Sequence, residues 1–112
     1  MCEEYIGVWE LWERYKRGRE IVRKHIRVGH QVYVVRQTAN GFWMYDTYKV
    51  ARYELQDAPS FEALGNCKER VIVHNNSGRK KIVPVHAFGH TVFTTMMHAQ
   101  REVATRNSKI KW

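Results

Sequence analysis

The stretch that decides the fold runs QVYVVRQTANGFWMYDTY, from Gln31 to Tyr48. β-Branched and aromatic residues flank an Asn40-Gly41 dipeptide, the pattern of two strands folded back through a tight turn. Residues 32–38 and 42–48 are the predicted strands, joined by a two-residue type I′ turn. That register sets Thr38 against Trp43, Arg36 against Tyr45 and Val34 against Thr47 on one face. Gln37–Met44, Val35–Asp46 and Tyr33–Tyr48 fall on the other. The second face, with Ala39 and Phe42, holds more of the aliphatic bulk and is the expected core side. Trp43 and Tyr45 then stand exposed beside Arg36 and Lys49, an aromatic and cationic surface on which unpaired bases stack. A one-residue slip exchanges the faces, and if both faces are covered the same rings form a core cluster.

A second hairpin follows at Val71–His74 and Lys80–Val85, joined by Asn75-Asn76-Ser77-Gly78. Pro84 lacks the N–H that an inner ladder needs, so it belongs at a sheet edge or a bulge. Between the hairpins, Thr47 to Leu64 is ambiguous; Pro59 interrupts it and Ser60 can cap a short helix. Gly41 and Gly78 mark matching turns, yet their flanks align too poorly to establish a repeat.

Helical periodicity occupies the two ends. Tyr5, Val8, Trp9, Trp12, Tyr15, Val22 and Ile26 recur at three- and four-residue steps, so a helix is predicted over roughly residues 3–27. Arg19 interrupts its apolar stripe, and Gly18 beside it costs ~1 kcal/mol relative to Ala. Val92, Phe93, Met96, Met97 and Val103 predict a terminal helix from about Thr91 to Arg106. The fold class is therefore α+β, a single domain over residues 1–106 in the order α-β-β-(α)-β-β-α. The hairpins form one antiparallel sheet with the N- and C-terminal helices packed on one face. Residues 107–112 make a basic C-terminal tail, read as disordered. The order resembles the double-stranded-RNA-binding fold in architecture only, because the Lys-Lys-Ala segment that opens that fold's last helix is absent from Gly89–Thr95.

Charge carries the functional argument. The chain has 112 residues, 19 Lys and Arg, 11 Asp and Glu, and a net charge of +8. Arg14, Lys16, Arg17, Arg19, Arg23, Lys24 and Arg27 crowd into fourteen positions with Glu20 as the sole acid. Such a run points to a polyanionic partner. Part of it needs no partner, since Glu10–Arg14, Glu13–Arg17 and Glu20–Lys24 are favourable i,i+4 pairs. Lys16, Arg19, Arg23 and Arg27 are left over. Arg79, Lys80 and Lys81 at the second hairpin tip add a further cationic block suited to phosphate contacts. The expected function is nucleic-acid binding, to DNA or RNA, through Lys16, Arg19, Arg23, Lys24, Arg27, Arg36, Arg79, Lys80 and Lys81, with bases stacked on Trp43 and Tyr45.

Two other functions fit the residues. Tyr5, Trp9, Trp12 and Tyr15 could form a docking stripe for a protein partner or a second copy, as in an inhibitor or adaptor. A metal-independent ribonuclease could use His74 and His86 as general base and acid, with Lys80 and Lys81 stabilising the phosphorane. His86 and His90 have half the spacing of a zinc-finger ligand set, but no Cys-x2-Cys exists, so neither metal nor cofactor is expected. With no Gly-rich phosphate loop or nucleophile elbow, nucleotide and serine hydrolases are disfavoured. Two cysteines, Cys2 and Cys67, make no disulfide framework. The acidic N-terminus is unlike a signal peptide and no apolar run reaches ~20 residues, so a cytoplasmic protein without membrane contact is expected.

Overall fold

The computed structural model describes residues 7–66 and 68–110. The start of the predicted first helix, both cysteines and the last two residues lie outside the described residues. Helix α1 spans Val8–His25, strands β1 and β2 Gln31–Gln37 and Trp43–Glu54, and helix α2 Phe61–Asn66. Strands β3 and β4 follow at Arg70–His74 and Lys80–Pro84, then a 3-10 turn at Val85–Ala87, strand β5 at Val92–Phe93 and helix α3 at Met96–Asn107. The strands form one antiparallel sheet in the order β4-β3-β2-β1-β5. The class is α+β, as the sequence predicts. Pro84 lies on the edge strand β4, and the Ser60 hydroxyl accepts the Ala63 N–H at 3.0 Å at the start of α2.

The first turn differs from the expectation by one residue. The Thr38 N–H donates to the Phe42 carbonyl at 2.7 Å, the Gly41 N–H to the Thr38 carbonyl at 3.0 Å, and Gly41 has φ +90°. This is the three-residue hairpin loop that ends in a glycine of left-handed conformation, rather than a two-residue type I′ turn. The register becomes Gln37 opposite Trp43, Val35 opposite Tyr45 and Tyr33 opposite Thr47. Asn75–Arg79 repeats the same bonding pattern, with Gly78 at φ +86°.

Strand β1 is the centre of the fold because both of its faces are covered. Val32 and Val34 join Tyr15 and Val22 of α1 and Ile26 just after it in the larger core, while Tyr33 and Val35 pack with Ala99 and Val103 of α3. Alternate residues of a strand project to opposite faces. The two long helices therefore lie on opposite sides of the sheet, which corrects the expectation of one helical face. The predicted last helix also starts late. Val92 and Phe93 pair with Val34 and Tyr33 as β5, and α3 begins only after Thr95, whose hydroxyl accepts the His98 N–H at 3.3 Å. The run Thr91-Val92-Phe93-Thr94-Thr95 is β-branched or aromatic throughout and favours extended backbone. At its other end α3 reaches Asn107, so the fold takes in the first residue assigned to the tail.

Helix α1 is seated by two features of its own sequence. Gly18 lies against the 3-10 turn so closely that a Cβ there would stand 1.9 Å from the Val85 carbonyl oxygen. Arg19 is buried, and its Nε donates to Glu69 at 2.5 Å while a terminal nitrogen reaches the Gln56 carbonyl. The Tyr15 hydroxyl donates to the other Glu69 oxygen at 2.6 Å and accepts the Ser60 N–H at 3.2 Å. Burial above all, then the bond to Glu69, holds the Tyr15 phenol above its usual pKa. The residue that breaks the apolar stripe is thus an internal anchor, and it is not available to a ligand.

Gly18→Ala should destabilise the protein by ~1–3 kcal/mol, because the overpacking outweighs the ~1 kcal/mol that alanine gains as a helix former. Glu69→Gln should cost ~3–5 kcal/mol by leaving the Arg19 charge buried and unpaired. Urea denaturation midpoints check both values.

Candidate nucleic-acid interface

Strand β2 is twelve residues long and serves two neighbours in turn. Its first half pairs with β1 and its second half with β3, with a break in register between Val50 and Arg52. Helix α3 covers β1, β5 and the adjoining part of β2. Among the described residues, no helix lies on the same face of the β2–β3–β4 half.

Strand register orders the side chains on that open half. Lys49 lies opposite His74, and His74 opposite Lys80, so three positively charged or titratable groups share one row across three strands. The next row is Arg52, Ile72 and Ile82, and the third is Glu54, Arg70 and Pro84. Strand spacing places Lys49 and Lys80 ~10 Å apart at the backbone. Lys49, Arg52 and Lys80 are exposed, and Ile82 is 58% exposed. Glu54 is the only carboxylate in the three rows, and it bridges Arg70 at 2.7 Å and Arg52 at 3.7 Å. The hydrogen bond from Arg70 first, then the charges of Arg70 and Arg52, hold the Glu54 carboxyl below its usual pKa. Neither Lys49 nor Lys80 makes an ion pair among the described residues.

The hairpin tip beside this face is rigidly built. The Asn75 side-chain oxygen accepts from the Ser77 N–H at 3.0 Å, the Ser77 hydroxyl at 2.8 Å and the Arg79 N–H at 2.9 Å. Arg79, Lys80 and Lys81 are exposed, but strand alternation sends Lys81, opposite Val73, to the α1 side and Lys80 to the open side. Arg79 instead lines a groove of about 720 Å³ with Arg36, Asp46, Tyr48 and Asn76.

The basic run of α1 is more self-contained than its sequence suggests. Lys16 pairs with Glu13 at 3.3 Å, Lys24 with Glu20 at 2.9 Å and Arg14 with Glu10 at 3.6 Å. Because Glu13 turns to Lys16, Arg17 makes no ion pair among the described residues. Arg27 donates to the Ile26 and Arg23 carbonyls at 2.7 and 3.3 Å and so caps the end of the helix. Arg23 and Arg27 are exposed, on the face of the sheet away from the Lys49 row.

Two expected sites are not assembled. The three-residue turn moves Trp43 and Tyr45 under α3, so they are not a free stacking surface. The Arg106 guanidinium lies 4.5 Å from the Trp43 ring centre, and Asn107 exchanges hydrogen bonds of 2.7 and 3.1 Å with the Trp43 backbone. Tyr45 meets Tyr33 edge to face at 5.9 Å. Arg36 projects to the opposite face and binds Asp46. The catalytic histidine pair is likewise separated. His74 shares a row with Lys80, whereas His86 follows Pro84, whose partner is Arg70 at the other end of the hairpin. Burial first, then Arg14 and His90, lowers the His86 pKa. Among the described residues no three His, Cys, Asp or Glu side chains converge as a metal site.

The sequence places Lys49 beside Trp43 and Tyr45 but does not group it with Arg52 and Arg70. Their signal was the polar alternation of Lys49, Arg52 and Glu54, obscured by the extra residue at the break in register.

Trp43→Ala should lower stability towards the lower end of the ~3–5 kcal/mol range for tryptophan truncation, since the ring is half-buried. Thermal melts and binding assays on one preparation separate this from any role in binding. His86 is more readily protonated in the unfolded chain, so its contribution is complete above pH ~6.5 and is lost as the pH falls through its lowered folded value. His86→Gln should therefore flatten the decline in stability below that pH in denaturation at stepped pH. Comparison of the chain with protein-family models, with curated proteins and with solved structures finds no match in any of the three.

Proposed function

We propose that this protein binds nucleic acid by holding the phosphate backbone across the uncovered half of its sheet. The observation that carries the reading is the row Lys49, His74 and Lys80, which contains no carboxylate and lies on a face that no helix of the described residues covers. Arg52 and Arg70 extend the cationic surface along the strands. In a chain of net charge +8, such a surface attracts a polyanion over long range and then meets it with flexible point charges. Lysine-led contacts position a backbone without reading bases, so binding is tolerant of sequence. Arg23 and Arg27 provide a secondary contact on the opposite face.

The distance between His74 and His86 along the hairpin favours binding over cleavage. No helix among the described residues is long and apolar enough to cross a membrane. We assign the binding to the cytoplasm, where nucleic acid is available to a small basic protein.

The test is the salt dependence of binding for the triple variant Lys49→Gln, Arg52→Gln, Lys80→Gln. Each lost phosphate contact removes ~0.9 from the log–log slope on duplex DNA and ~0.7 on single strands, so three should lower it by ~2.7 and ~2.1 respectively. A folded variant with unchanged affinity and slope rules the interface out.

A further inference from the structure

Helix α1 turns one stripe away from the body of the protein. Tyr15, Gly18, Arg19 and Val22 are its buried side. At 3.6 residues per turn, Trp9, Glu13, Arg17, Glu20 and Lys24 fall on the opposite side. Trp9 is 71% exposed, and the Glu13, Glu20 and Lys24 side chains are 65%, 61% and 64% exposed. Val28, just beyond the helix, is 65% exposed. Within its own chain the stripe has only the local pairs of Glu13 with Lys16 and Glu20 with Lys24 and the edge of Phe61 against Trp9, among the described residues.

Along the helical stripe the order is apolar, acid, base, acid, base from Trp9 to Lys24, at intervals of four, four, three and four residues; the helix ends at His25, so exposed Val28 lies past its end and not on the stripe. The pattern is complementary to its own reverse. Turned end for end, position 13 falls on 24 and 17 on 20, so a single two-fold axis between Arg17 and Glu20 satisfies both charge pairs at once. A parallel pairing in register would oppose acid to acid and base to base.

We propose that α1 packs antiparallel against α1 of a second copy, in a symmetric dimer. Glu13 meets the partner's Lys24, Arg17 meets the partner's Glu20, and Trp9 lies over the turn that follows the partner's His25, where Val28 is exposed. Each contact occurs twice, as a two-fold interface requires. Arg17, without an ion pair among the described residues of its own chain, gains one. Exposed ion pairs supply little affinity, so the charges set orientation and register while burial of Trp9 and Val28 supplies the adhesion. Phe61, 52% exposed and edge-on to Trp9 at 6.1 Å, widens the apolar patch at each end. The Lys49 row lies on the other face of the sheet, so the dimer leaves both rows open. The inference stands independently of what those rows bind.

Charge exchange tests it. Sedimentation equilibrium over a dilution series should show the wild-type protein moving from 13.4 kDa towards twice that mass. Glu13→Lys and Lys24→Glu each create two like-charge contacts per dimer and should weaken association by about tenfold or more. The double variant Glu13→Lys, Lys24→Glu restores opposite charges and should recover most of the wild-type association. A wild-type protein that keeps the single-chain mass at every concentration overturns the proposal. So do single variants that dimerise as tightly as wild type, or a folded double variant that stays monomeric.

Discussion

The offset that Gly41 imposes between β1 and β2 is the constraint on which the other side-chain placements depend. A strand has only two faces, so moving the pairing by one residue moves every side chain of β2 to the other face. With the three-residue loop, Trp43 and Tyr45 fall beneath α3 and complete a second core, while Arg36 and Asp46 fall on the α1 side and pair. The same register, carried through β3 and β4, leaves Lys49, His74 and Lys80 in a row. The loop that removes the aromatic platform therefore also places the cationic one.

A sheet with helices on both faces needs each helix to be positioned independently. Helix α3 is positioned through Ala99, Val103 and the Asn107 clamp on the Trp43 backbone, which satisfies β2 where β3 no longer reaches it. Helix α1 is positioned through Gly18 and the Tyr15, Arg19 and Glu69 network. A buried ion pair contributes little net stability against an apolar replacement of the same shape, but it has one geometry. It joins α1 to the segments on either side of α2 through Glu69, Gln56 and Ser60. That rigid seat leaves the opposite stripe of α1 facing outward.

Element type was legible wherever the period was strong. The alternation around Asn40-Gly41, the second hairpin, the capping Ser60 and the long helix through Tyr15 and Val22 all rest on local backbone preferences, and local physics decides them. Legibility failed where two local preferences competed. Asn40-Gly41 fits both a two-residue and a three-residue loop, and Thr91–Thr95 carries apolar residues at helical spacing but β-branched chemistry.

The sequence by itself determined the α+β class, the two hairpins, the edge position of Pro84 and the strongly cationic character of the chain, because periodicity, turn chemistry and net charge are properties of neighbouring residues. Only the tertiary structure decided which charges are free. Arg19 and Glu69 are fifty residues apart and neither identifies the other in sequence, while Lys49, His74 and Lys80 become neighbours only through strand register. A charge is bound or available according to what lies within a few ångströms of it, and that distance is set by the packing of elements remote along the chain.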